Sequence, residues 1–269
     1  MVEKLDKIFN PFSLIVINFL IIGAAELLGG GVLLYSSGAI HGIALFFIVL
    51  ALSRVFLHYP SYDQFLEKFL HATLGALFVF ATAHIVEFFS MRILHEYPDS
   101  TFSHVINLYI ISMFLIIIGA EMFLRRHDRG SMSLVRFLWA GIGFFVVLSV
   151  LIFVRKFEIS LGTQSLMPWF YFGVVLMSFV LGFVKIWQIR RLVSIARGFI
   201  DYLLGSLFLI FIATLPNIFY EFIEEIFAVP EFQLVYVSHF TFYAALSIMF
   251  LAFGQLANLG GLYASVKKS

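Results

Sequence analysis

The stretch 103-SHVINLYIISMFLIIIGA-120 decides the fold. Its 18 residues contain no Asp, Glu, Lys or Arg. A helix of about 20 mainly apolar residues crosses the ~30 Å hydrocarbon core of a bilayer. The stretch is too long for a strand and too apolar for a surface helix, so it reads as a membrane span. It also has a relative in its own chain. At a fixed offset, Ser103, His104, Ser112 and Gly119 correspond to Ser238, His239, Ser247 and Gly254 in 238-SHFTFYAALSIMFLAFGQ-255.

The whole chain has the same character. Of its 269 residues, 62% are hydrophobic and 12% charged, about half the ~25% charged residues of a soluble domain. Mean hydropathy is +1.02. The net charge of +1, with no basic arm, excludes a nucleic-acid binder. The absence of cysteine excludes disulfides, thiolate metal sites, iron–sulfur clusters and cysteine nucleophiles. The N-terminus mixes acids with lysines and lacks a small-residue cleavage site, so a retained start is expected.

These features predict an all-α, polytopic integral membrane protein with eight transmembrane helices. The spans fall near 12–35, 39–58, 66–93, 104–125, 133–154, 167–189, 199–225 and 233–258. Pro98, Pro168 and Pro230 fall at span boundaries, where a missing backbone donor costs least. Pro216 lies inside the seventh span and predicts a kink. Of the 17 Lys and Arg residues, all but Arg92, Arg155 and Lys156 fall on the side of the N-terminus. By the positive-inside rule the protein sits in the cell membrane with both termini cytoplasmic.

The paired Ser-His motif extends to the preceding spans. LGALFVFATAHIVEFF at 74–89 resembles LGSLFLIFIATLPNIFYEF at 204–222, with Glu87 and Glu221 late in each. The chain therefore reads as a 4+4 internal duplication with parallel topology, one repeat at 1–130 and the other at 131–269. Spans rich in Phe and Leu resemble one another by composition alone, but only eight histidines are present and two of them match.

Duplication collects ionisable groups at one rim. In 83-AHIVEFF-89, His84 and Glu87 share a helix face. His104 opens the next span, Glu221 and Glu224 close the seventh, and His239 opens the eighth, with His41 a weaker candidate. Charges within a span are costly and face the bundle interior. Imidazole and carboxylate donors suit transition metals such as zinc, iron or copper. The expected metal ligands are His84, Glu87, His104 and His239, in an outward-facing site between the repeats. The rival is a structural polar network in which Glu87 pairs with His84, His104 or Arg92. Haem is disfavoured: His71 and His84 have a suitable spacing, but no other span carries a matching pair.

Glu26, in 23-GAAELLGGG-31, stands near mid-bilayer and is a candidate proton or cation site. Three functional classes remain open. A sensory or ligand-binding module would signal through a partner membrane or signalling protein. A secondary transporter would use Glu26 and the kink at Pro216. A metal-dependent membrane enzyme would need an activated water. Beyond such a partner, the expected surroundings are the lipid bilayer.

Overall fold

Eight helices account for nearly all of the described residues, and no strand occurs among them. The computed structural model describes residues 20, 39–58, 67–89, 98–154, 164–193, 197–229 and 231–266. The helices are α1 (Ala39–His58), α2 (Glu67–Phe89), α3 (Pro98–Arg125), α4 (Met132–Phe153), α5 (Met167–Leu192), α6 (Arg197–Ile218), α7 (Tyr220–Phe227) and α8 (Glu231–Val266). Six contain segments long and apolar enough to cross a membrane: Lys68–Glu87, Ser103–Arg125, Met132–Phe153, Met167–Leu192, Arg197–Ile218 and Val237–Gln255. Of the expected eight spans, the first (12–35) lies outside the described residues except for Leu20. The second coincides with α1, whose described apolar portion is Ala44–Ser53.

The helix ends follow local chemistry. Ser131 caps α4, its hydroxyl accepting from Leu134 N at 3.4 Å. The first turn of α5 carries Pro168, where no backbone donor is missed, and its last turn carries Arg190 and Arg191, favourable at the negative end of the helix dipole. Between α3 and α4 the chain turns tightly through Asp128, at φ 55°, and Gly130. A Cβ on Gly130 would lie 2.5 Å from Glu121 O, so only glycine fits.

The seventh expected span, 199–225, is not one helix. Pro216 lies inside α6, and the helix ends two residues later at Ile218. Proline has no N–H to donate to the carbonyl of Ile212 and its ring crowds that carbonyl. The break comes at Phe219, at φ −114° and ψ 22°, before the short α7 begins. Phe219 N still donates to Leu215 O at 3.1 Å, and Ile223 N donates to Phe219 O at 2.8 Å, so the chain bends without losing these two bonds.

The two most extensive helix pairs are α2 with α3 and α6 with α8. Helix α1 packs on α2 and α8, while α5 packs on α6 and α3; α4 lies on α3. Gly119 permits the close approach of α3 to α2, since a Cβ there would meet Ala72 Cβ at 2.6 Å. The span in α3 is 83% buried, against 28% for those in α4 and α5, so α3 is central and the other two are peripheral. Phe137, Trp139 and Phe144 on α4 and Trp169 and Phe170 on α5 are exposed. Such a face suits acyl chains rather than water.

At the α3–α4 turn, Glu121 is fully buried. It pairs with Lys185 Nζ of α5 at 2.5 Å and accepts from Ser131 N at 2.6 Å. One carboxylate thus ties α3, α5 and the start of α4 together. At the same end, Arg190 of α5 forms a two-pronged pair with Asp201 of α6, at 2.6 and 3.1 Å.

Candidate metal centre

At the opposite end of α3, the pattern Phe80, His84, Glu87 places one side chain per turn along a face of α2. That face meets His239, Phe242 and Tyr243 of α8, which share one helix face by the same spacing. His84, Glu87 and His239 are 0%, 1% and 2% exposed. Each offers one ligand atom, and the three atoms lie within 4.8 Å of one another. Glu87 Oε2 stands at the centre of the group: it is 3.4 Å from His84 Nδ1 and 3.5 Å from His239 Nε2.

Those separations are informative. A charge-assisted N–H···O⁻ bond settles at about 2.7–2.9 Å. Two donors on one tetrahedral ion with bonds of about 2.0–2.2 Å stand about 3.4 Å apart. The edges at Glu87 therefore match ligand-to-ligand edges of a tetrahedral site better than short ion pairs. Three protein donors leave a fourth position on a tetrahedral ion.

Aromatic rings fix the group. Phe242 lies with its ring centroid 4.8 Å from that of His84, and Tyr109 of α3 stacks on Phe242 at 5.6 Å and 7°. Phe80 meets both Tyr109 and Phe242 edge-on, at 5.4 and 5.5 Å. Tyr109 then carries its hydroxyl to 3.3 Å from His84 Nε2. Both ring nitrogens of His84 consequently face a polar group from a different residue.

No family model, curated protein or solved structure matches this chain.

The expected ligands divide. His84, Glu87 and His239 come together. His104 is buried, but its ring stands edge-on to Phe153 of α4 at 6.5 Å, and it is not part of the group. Tyr109 and His104 are five residues apart on α3, about 140° around the helix at 3.6 residues per turn. The face that brings Tyr109 to α2 turns His104 toward α4. Glu221 lies on α7, half-buried, and accepts from Tyr220 Oη at 3.0 Å, while Glu224 is exposed. The three side chains are enclosed between α2 and α8, near the end of the bundle where α2 finishes. Glu26 and the glycines at 29–31 lie outside the described residues, as does the side chain of His41.

Sequence reasoning missed Tyr109, Phe242 and the Glu121–Lys185 pair. A tyrosine or phenylalanine inside an apolar span carries no spacing signal. Glu121 was hidden in a run that ends on arginines, and Lys185 counted only as a topology charge. Asn107, fully buried and one turn from His104 on α3, donates to Ser149 Oγ of α4 at 3.0 Å.

Proposed function

We propose that this chain is a multi-pass membrane protein that binds a divalent transition metal through His84, Glu87 and His239, in a sensory or ligand-binding role. One observation carries the reading: three donor atoms of the right chemistry converge within 4.8 Å in a nearly water-free site. Burying a carboxylate is expensive, and a dication bound to it would offset that cost. Two imidazoles and one carboxylate favour zinc first, with iron or copper as the other candidates. The fourth position takes a water or a small ligand.

The same three-donor set occurs in catalytic zinc sites, so a metal-dependent membrane enzyme is the second reading. Against it, the group contains no second carboxylate to act as general base. The transporter reading rests on Glu26, and no observation among the described residues adds to it.

The 4+4 duplication belongs to the same proposal. What supports it is the packing order: α1 against α2 and α8, α5 against α6 and α3, which is the exchange a twofold relation between halves produces. The Lys and Arg bias supports cytoplasmic termini. The deciding experiment for the site is elemental analysis of the protein purified without chelator, with zinc, iron, copper and manganese measured together. One equivalent of metal in the wild type and loss of it in His239→Ala sustain the proposal. No stoichiometric metal, and none taken up on reconstitution, defeats it.

A further inference from the structure

We infer that Tyr109 is a positioning residue for this site: its hydroxyl holds the Nε2 side of His84, so that the ion meets Nδ1. The inference rests on the metal reading above. Nδ1 of His84 faces Glu87 Oε2 at 3.4 Å, and Nε2 faces Tyr109 Oη at 3.3 Å. A neutral imidazole carries one proton, on one nitrogen or the other. With an ion on Nδ1, that proton sits on Nε2 and donates to the phenol oxygen. Without an ion, a lone pair on Nδ1 would oppose the carboxylate, so the proton sits on Nδ1 and the phenol donates to Nε2. The hydroxyl serves both states because it both donates and accepts. With His84 neutral in both states, loading the ion moves its proton from Nδ1 to Nε2.

The ring of Tyr109 is held for this task. It stacks on Phe242 and meets Phe80 edge-on, and the residue is 3% exposed. Phe242 is one turn from the ligand His239, so the same ring supports both sides of the site. Metal-bound histidines nearly always have their second nitrogen held by a polar partner, and removing that partner typically costs 10–100-fold in metal affinity. Tyr109→Phe keeps the ring and its packing and removes only the oxygen. It leaves Nε2–H without its phenol acceptor in a site from which water is excluded.

The test is a zinc titration against a competing chelator, with wild type, Tyr109→Phe and Tyr171→Phe in the same detergent. Tyr171 is a buried tyrosine of α5 outside the group. The expected result is a 10–100-fold weaker Kd for Tyr109→Phe at unchanged stoichiometry, with Tyr171→Phe equal to wild type. A second measurement needs no variant at Tyr109. In wild type labelled with 15N-histidine, with His84 assigned by its absence in His84→Gln, the zinc form should show Nε2 protonated and Nδ1 bound. A Tyr109→Phe Kd within twofold of wild type, or a zinc form with Nδ1 protonated, overturns the inference while leaving the metal site standing. A wild type that binds no zinc, iron or copper removes both.

Discussion

Glu87→Gln separates a metal site from a structural ion network, because the two predict opposite signs in the metal-free protein. The change keeps the size of the side chain and removes its charge. Glu87 is 1% exposed, with Oε2 between two imidazole nitrogens at 3.4 and 3.5 Å. If the cluster is a network of a carboxylate with protonated histidine, removing one partner strands a buried charge and costs about 3–5 kcal/mol with or without metal. If the cluster is a metal site, the substitution removes from the metal-free protein a buried carboxylate whose charge the metal would otherwise offset. Its stability should then hold or rise. The cost appears only with metal present. A wild type held at about 1,000 times its Kd gains about 4.1 kcal/mol from binding. A variant bound about 100-fold more weakly would gain only about 1.4 kcal/mol at the same concentration. The assay is thermal unfolding in detergent, in excess chelator and in buffered zinc. The metal reasoning expects equal or higher Tm for Glu87→Gln in chelator and a much smaller zinc-induced rise. A lower Tm in chelator, together with a wild type indifferent to zinc, would refute it.

Three further outcomes are expected. His104→Ala should retain the full metal complement that His239→Ala loses, because His104 faces Phe153 rather than Glu87; metal content after gel filtration checks this. Glu121→Gln should destabilise by about 3–5 kcal/mol by leaving Lys185 beside a neutral amide, and the double change Glu121→Leu with Lys185→Leu should recover much of it; chelator-independent Tm values report both. Gly119→Ala should cost about 1–3 kcal/mol, since its Cβ would sit 2.6 Å from Ala72 Cβ, whereas Gly143→Ala meets no atom within 4 Å and should not lower the Tm.

Helix and membrane character were legible because they depend on runs of apolar residues, which need no partner to be recognised. The Ser-His repeat and the cost of charge within a span also brought His84, Glu87 and His239 into view. What the chain could not disclose is which faces meet. His104 and His239 open matching runs, yet one turns to Phe153 and the other to Glu87. That difference depends on the rotation of α3 and α8 against their neighbours. Tyr109 was hidden for the same reason: its value lies in the crossing of α3 over α2, not in its own spacing. The break in 199–225 was foreseen as a kink at Pro216, but its position at Phe219 depends on where the chain can leave helical geometry while Phe219 N keeps its bond to Leu215 O.

That break explains why the proposed duplication would yield one site and not two. In the first half, α2 stays helical from His84 through Glu87 to Phe89, so imidazole and carboxylate stay on one face, a single turn apart. In the second half, the resembling run places Asn217 near the position of His84, and it is buried on α6. An amide can hydrogen-bond but is a poor partner for a transition metal. Three residues past Pro216 the helix breaks, and Glu221 is carried onto α7, where Tyr220 bonds it. The acid that corresponds to Glu87 has left the face that would have presented it. His104, the counterpart of His239, is then left to pack against Phe153 of α4. On the proposed duplication, a proline and an asparagine would be enough to keep the second half-site from forming. The test of this account is restoration: Asn217→His alone should create no second metal equivalent, because the carboxylate remains on α7. A second equivalent appearing in that single variant would show that the helix break does not separate the donors.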